Sequence, residues 1–171
     1  MNETNGIVFT RLGLNLIAKW GAGSDRVLAD MMVGSGKVNE LTILQELTDL
    51  ITPVAQATST LPYTVDNQIQ FSIQYRNIDN PEIGGFFLSE FGVFAIDPDI
   101  GRILLCYGNL GDFPEWIHPF SSGIESIRDF HISIGVSGDG NVILSYPAKA
   151  FLTADSIIMP RFVNDALVFG R

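Results

Sequence analysis

Two apolar runs joined by a short acidic turn dominate the middle of this sequence and constrain its fold most strongly. Residues 91–96 and 103–107 carry apolar side chains at both odd and even positions. A strand with one face in water alternates apolar and polar residues, so both faces of this pair are expected to be covered. The intervening Asp97-Pro98-Asp99-Ile100-Gly101 combines a proline that presets φ with a glycine that tolerates positive φ. The sequence therefore predicts a central β-hairpin.

Two helices are predicted near the N-terminus. In residues 10–20, apolar side chains recur at four-residue spacing and glycines follow directly. In residues 41–47, Thr42 and Gln45 form a capping-box pattern at the start of a short apolar stretch. Further strands are predicted at 27–33, 54–64, 68–75, 130–136 and 141–146, with an irregular loop at 109–123. The expected fold class is α+β, with two N-terminal helices packed on a mainly antiparallel sheet of about five to seven strands.

Residues 68–75 alternate most clearly, and their second face is polar but uncharged. That face carries Gln68, Gln70 and Gln74. Two interpretations are open: a solvated outer face, or a contact with a neighbouring subunit, since amides cost less to desolvate than charges. Trp116 and Phe120 in the predicted loop either fold back onto the core or anchor an interface.

The C-terminal part of the sequence is apolar but lacks the regular alternation of the predicted strands. We expect an attachment-like domain over residues 1–148 and an apolar tail over residues 149–171, which includes Phe162 and Phe169. The tail is too apolar for a free solvated end, so we expect it to pack either on its own domain or on a neighbouring subunit.

The sequence offers little for catalysis or metal binding. One cysteine and two histidines do not supply a zinc set, and Arg102 stands where a calcium loop of the Asp97-x-Asp99 type needs glycine. The net charge of −9 argues against nucleic acid, and no apolar run reaches the length of a membrane span. We therefore predict no catalytic residue, no metal, no cofactor, no nucleic acid and no membrane as partner.

Several motifs occur in an order that gives the sequence a family resemblance. They are Thr10-Arg11-Leu12-Gly13, Val33-Gly34-Ser35-Gly36, Ser89-Glu90-Phe91-Gly92-Val93-Phe94-Ala95, Asp97-Pro98-Asp99 with Gly101, and Tyr107-Gly108-Asn109. In this order the chain resembles the bacteriophage tail-collar fibre family, the N-terminal attachment domain of many tail-fibre proteins. The similarity spans roughly residues 7–146.

The resemblance implies a structural part of a phage tail or a phage-tail-like particle. In that family the domain joins the fibre to the baseplate by protein–protein contact, without catalysis. The implied partners are other tail, baseplate or fibre proteins and further copies of the chain, as a trimer or in a symmetric ring. The implied location is the virion tail or baseplate, after synthesis in the host cytoplasm. Fibres of the family continue for hundreds of residues whereas this chain ends at Arg171, so the expectation is an adaptor that carries a separate fibre, or a small baseplate component.

Two other functions stay open at this point. A small receptor- or glycan-binding module of the tail tip would use Trp116, Tyr107 and the acidic loops, and a cell-wall hydrolase would use scattered carboxylates. Within the family-like segment, we predict structural roles for Glu90, Gly92, Asp97, Pro98 and Gly101. Because most neighbours of Glu90 are apolar, its carboxylate is expected to need a partner such as backbone N–H groups or an arginine.

Overall fold

The computed structural model describes residues 5–61, 63–66, 68–136 and 142–145, and the main body of this part is one antiparallel sheet. Its strands, with those of a small second sheet, are β1 (Asn5–Phe9), β2 (Leu28–Gly34), β3 (Pro53–Ser59), β4 (Tyr63–Val65), β5 (Gln68–Arg76), β6 (Phe86–Leu88), β7 (Glu90–Asp97), β8 (Gly101–Leu110), β9 (Glu115–Ile117), β10 (Ile127–Val136) and β11 (Val142–Ser145). The nine-stranded main sheet has the order β1-β8-β7-β2-β3-β5-β10-β11, with β4 also on β5. The sheet curls until Cα atoms of its outer strands β1 and β11 lie within 8 Å of each other. The other two strands, β6 and β9, form a separate two-stranded ribbon.

The predicted α+β class with two N-terminal helices is wrong, because the described chain is mainly β. Its one α-helix is α1 (Arg11–Gly21), and residues 41–47 contain only a single 3-10 turn at Leu44–Glu46. No residue of that turn is buried, and Thr42 accepts the N–H of Asn39 instead of capping a helix. One exposed turn gains too little packing to offset the cost of helix nucleation. The strands were also undercounted, because β1, β6 and β9 were not predicted as separate strands and residues 54–64 overlap two strands.

The first predicted helix is confirmed as α1, and its start is fixed to β8. Thr10 caps it, since the Thr10 side chain accepts the Gly13 N–H at 2.9 Å while the Thr10 N–H donates to the Leu105 carbonyl at 3.1 Å. A Cβ atom on Gly13 would lie 2.0 Å from the same carbonyl oxygen. Glycine at this position therefore lets the helix backbone touch the sheet. The buried face of α1 consists of Gly13, Leu16, Ile17 and Trp20.

The central hairpin is confirmed as β7 and β8, and both of its faces are covered. Toward the inside of the curled sheet, Phe91 and Val93 join the main core together with residues of α1, β5 and β10. On the other face, Phe94, Leu104 and Tyr107 form a second cluster with Leu50. Apolar residues on both faces of these strands thus have two separate cores to fill.

The strands predicted at 68–75 and 130–136 are confirmed as β5 and β10, which pair antiparallel along their length. Their inward side chains, all buried, are Phe71, Ile73, Tyr75, Phe130, Ile132 and Ile134. β11 adds to the far side of β10 as the predicted return strand. The residues between β10 and β11 and the predicted tail at 149–171, with Phe162 and Phe169, lie outside the described residues.

Candidate functional site

A fully buried carboxylate, that of Glu90, lies at the start of β7 and accepts four hydrogen bonds. Its Oε1 accepts the backbone N–H groups of Gly36 at 2.9 Å and Thr52 at 2.7 Å. Its Oε2 accepts the N–H of Ile51 at 3.0 Å and the hydroxyl of Tyr107 at 2.7 Å. Four donors, three of them backbone N–H groups, satisfy the hydrogen-bonding capacity of this carboxylate inside the protein. Because each oxygen already accepts two hydrogen bonds, proton transfer at Glu90 would require one of them to break.

The Glu90 contacts close the neck of a surface loop. We call residues 37–50 the neck loop, because Gly36 at one end and Ile51 and Thr52 at the other meet on the same carboxylate. The neck is also closed by the Ser35 N–H, which donates to the Thr52 carbonyl at 3.0 Å. Compact loops with adjacent ends of this kind are Ω-loops, which frequently carry function.

Two glycines of the neck are required by the close approach of the chain to Glu90. A Cβ atom on Gly34 would lie 2.3 Å from the Thr52 carbonyl oxygen, and one on Gly36 would lie 2.5 Å from Glu90 Oε1. Ser89 completes the neck, since its hydroxyl donates to the Gly36 carbonyl at 2.8 Å. The Gly34-Ser35-Gly36 motif therefore packs closely against the buried Glu90 carboxylate, and its Gly36 N–H donates to that carboxylate.

The neck loop covers the outer face of the central hairpin. Leu50 is buried against Phe94 and Leu104, with Leu44 and Leu47 half-buried beside them. A Cβ atom on Gly92 would lie 2.8 Å from Leu50 Cδ2, so this glycine makes room for the loop. At its tip the loop leaves apolar side chains in solvent, with Leu41 90% and Ile43 64% exposed.

The acidic turn between β7 and β8 is tied to the end of α1. Asp97 Oδ1 accepts the N–H groups of Asp99 at 2.7 Å and Ile100 at 3.2 Å, and Gly101 has φ +101°. Lys19 donates to both Asp97 oxygens, at 2.7 and 2.9 Å, and to Asp99 at 2.7 Å. The Lys19 ammonium and these backbone N–H groups hold the pKa of the buried Asp97 carboxyl below its usual value. The turn prediction is confirmed, but the contribution of Lys19 was missed; Pro98 lies exposed in the turn.

An aromatic cluster projects from the β6–β9 ribbon. The rings of Phe87 and Trp116 meet edge to face with centroids 5.0 Å apart, and Trp116 also meets His118 edge to face at 6.2 Å. A Cβ atom on Gly85 would lie 2.6 Å from the Trp116 ring, so the indole rests on the glycine backbone. Phe87 and Trp116 are nevertheless 54% and 42% exposed. We call Phe87 and Trp116 the aromatic patch; the exposed Phe113 and Phe120 flank β9 in sequence. Residues 109–123 are thus not a plain loop, because they contain β9.

The three predicted interface glutamines lie together on the outer face of β5. The aromatic patch lies on other strands, β6 and β9. The glutamines are half-buried by other polar groups: the Tyr63 hydroxyl donates to Gln70 at 3.1 Å and the Ser133 hydroxyl to Gln68 at 2.6 Å. Gln74 lies opposite Asp129 of β10. Burial raises the pKa of the Asp129 carboxyl.

The cysteine and histidines occupy unrelated places. Cys106 is fully buried in β8, and burial raises the pKa of its thiol to about 12. His131 hydrogen-bonds Ser72 on the outer face of the sheet, whereas His118 lies beside Trp116. Within residues 5–61, 63–66, 68–136 and 142–145, no group of three or more His, Cys, Asp or Glu is placed to hold a metal ion. In the same part of the chain, no helix is long and apolar enough to cross a bilayer.

One organising residue, Asn77, was missed because nothing in its sequence context marks it. Its side chain is buried after β5, donates to the carbonyls of His118 at 2.9 Å and Ile124 at 2.7 Å, and accepts the Ser126 N–H at 3.0 Å. Asn77 thereby holds the segment between β9 and β10, as Glu90 holds the neck loop. A single amide in a polar stretch gives no periodic signal that would reveal this.

Comparisons with known proteins add no relative: no family model, no curated protein and no solved structure matches this chain.

Proposed function

We propose that the protein is a structural component of the tail of a phage or phage-tail-like particle, an adaptor that attaches a fibre or baseplate protein through protein–protein contacts. The proposal starts from the ordered resemblance to the tail-collar fibre family. Glu90, Gly92 and the Asp97 turn, which carry much of that resemblance, all lie in contacts that shape the central hairpin. These motifs therefore stabilise the central hairpin, and a structural role of this kind is compatible with an attachment domain.

The aromatic patch is the observation that carries the proposal. Interfaces concentrate their binding energy in a few aromatic residues held in rigid positions. Trp116 is fixed from one side by Gly85 and from another by Phe87, yet keeps 42% of its surface exposed. Exposed aromatic residues on a rigid ribbon favour contact with another protein over a purely internal role. A contact of this kind supports an attachment role, and the symmetric assembly of phage tails favours several copies of the chain.

The test is co-expression with the products of the genes that flank its own gene. We expect a tail, baseplate or fibre protein to co-purify at a fixed molar ratio, and Trp116→Ala to weaken the complex at least tenfold. Ile100→Ala is the matched control, because Ile100 is an exposed apolar residue in the hairpin turn, away from the ribbon. If no tail, baseplate or fibre protein co-purifies, or if both variants bind alike, the proposal is wrong.

A receptor- or glycan-binding module is the second candidate, and one observation favours it: an exposed tryptophan ring is a common platform for sugars. Of the two residues that first suggested it, Tyr107 is buried and bonded to Glu90, which leaves Trp116. Binding of the purified chain to host cell walls that disappears in Trp116→Ala, without any complex with a tail protein, would favour this candidate over the adaptor.

A further inference from the structure

A groove of about 420 Å³ opens on the side of the sheet where β3 leaves β2. Its walls are mainly apolar, with Leu28 and Met31 from β2, Ile69 from β5 and the exposed Leu61 between β3 and β4. Trp20, at the end of α1, lies against the same space. Covering apolar walls of this kind is favourable, because it removes their surface from water.

The groove follows a split in the sheet. The ladder between β2 and β3 covers Met31–Gly34 on β2, whereas Ser59 at the end of β3 already pairs with Ile73 of β5. Among the residues that the structure describes, the stretch of β2 before Met31 therefore has no strand partner on the β3 side. A strand edge with free N–H and C=O groups is a template for an added strand.

A buried donor at the groove lacks an acceptor. Trp20 is only 5% exposed, and its indole Nε1–H has no hydrogen-bond partner within the described part of the chain. Leaving a buried N–H group without an acceptor is unfavourable, and such groups in native proteins call for an explanation. A carbonyl oxygen supplied from outside would satisfy it.

The groove also carries one positively charged side chain, that of Arg26. Arg26 lines the groove, is exposed, and forms no ion pair with a residue described by the structure. The chain as a whole carries 19 acidic against 10 basic residues, so an unpaired arginine is uncommon on this surface. Its partner would be a carboxylate.

We propose that this groove binds an extended apolar segment of a partner protein that carries one acidic side chain. The segment lies along the free part of β2, places apolar side chains against Leu28 and Ile69, gives a backbone carbonyl to the Trp20 indole and sets its carboxylate against Arg26. Four features of one groove, its apolar walls, its strand edge, its unpaired N–H donor and its cation, fit the same ligand. The inference concerns a surface other than the aromatic patch and does not depend on the proposed function.

The experiment is a selection of displayed random decapeptides on the immobilised protein, followed by affinity measurements with the synthetic peptides. We expect the enriched peptides to alternate apolar residues and to contain an Asp or Glu. They should bind at least tenfold more weakly to Arg26→Gln, which changes only an exposed side chain, and also to Trp20→Phe. Lys37→Gln, a charge-matched change at another exposed cation, should leave their affinity unchanged.

A spectroscopic readout locates the binding. The chain has two tryptophans, so Trp116→Phe leaves Trp20 as the single indole, and its emission should shift when the peptide binds. Failure to enrich any peptide over the Arg26→Gln protein, equal affinity for both proteins, or an unchanged Trp20 emission would each overturn the proposal. Displacement of the selected peptides by a synthetic peptide of residues 149–171 would also overturn it, because the occupant would then be this chain itself.

Discussion

The Tyr107 hydroxyl donates a 2.7 Å hydrogen bond to Glu90 Oε2, and both residues are buried, on adjacent strands of the central hairpin. Burial, followed by the hydrogen bond to the carboxylate, raises the pKa of Tyr107 far above its ordinary value, so the hydroxyl remains a donor across the physiological range. Asn109 in turn donates to the Tyr107 oxygen at 2.9 Å. The carboxylate and the phenol therefore form one network with the neck of the loop.

Replacing the carboxylate should destabilise the protein. Glu90→Gln keeps the size of the side chain but turns one acceptor into a donor that faces backbone N–H groups. We expect the free energy of unfolding to fall by about 2–4 kcal/mol, measured by urea denaturation. Glu82→Gln is the matched control, because Glu82 is exposed, and it should change stability by less than about 0.5 kcal/mol. Equal stability of the two variants would mean that the Glu90 network contributes little.

Removing the Tyr107 hydroxyl should cost about 1.5–3 kcal/mol, the range for a hydrogen bond to a charged group. The comparison is Tyr107→Phe with Tyr63→Phe, since the Tyr63 hydroxyl bonds an amide at the surface. Because Tyr107 acts through Glu90, the double variant with Glu90→Gln should lose less than the sum of the two single losses. Strict additivity would show that the two residues act separately.

The glycine at the neck gives a test of packing that leaves Glu90 in place. In Gly36→Ala the new methyl would lie 2.5 Å from both Glu90 Oε1 and Ile51 Cβ, so the neck must move apart. We expect a loss of about 1–3 kcal/mol in thermal or urea unfolding. Gly84→Ala should be tolerated, because a Cβ atom on Gly84 meets nothing within 4 Å. A neutral Gly36→Ala would imply that the neck is looser than the hydrogen bonds indicate.

The sequence predicted the parts of the fold that rest on local patterns. Helix α1, the hairpin of β7 and β8, its acidic turn and the alternating strand β5 each follow from periodicity or turn residues within one segment. The helix prediction for residues 41–47 was wrong, because a capping pattern can occur in a segment that has no buried face to stabilise a helix. The short strands β1 and β9 have too few residues to show a period.

The site was predictable only in part. An apolar setting showed that Glu90 needs a partner, but its donors come from positions 17 to 54 residues away, and backbone N–H groups carry no sequence signal. Trp116 stood out by residue type, whereas its fixation by Gly85 and Phe87 depends on the pairing of β6 with β9. The groove beside Trp20 depends on where two strands separate, which no local pattern encodes.

Acid should weaken the link between α1 and the hairpin turn. Since Lys19 and backbone N–H groups lower the folded-state pKa of Asp97 below its usual 3.8, the stabilisation is complete above that value and is lost as the pH falls through the folded pKa. Stability measured from pH 6 down to pH 2 should therefore fall less steeply in Asp97→Asn than in the natural chain. Asp112→Asn, at an exposed position, should follow the natural curve. Parallel curves for Asp97→Asn and the natural chain would contradict this role.

Amide hydrogen exchange tests most directly the claim that Glu90 holds the neck loop on the hairpin. In the natural chain, the N–H groups of Gly36, Ile51 and Thr52 should be protected to a similar degree, because one carboxylate binds all three. In Glu90→Gln, under conditions where the protein stays folded, all three should exchange at least tenfold faster while β5 and β10 keep their protection. Unchanged protection of the three amides in Glu90→Gln would contradict the account.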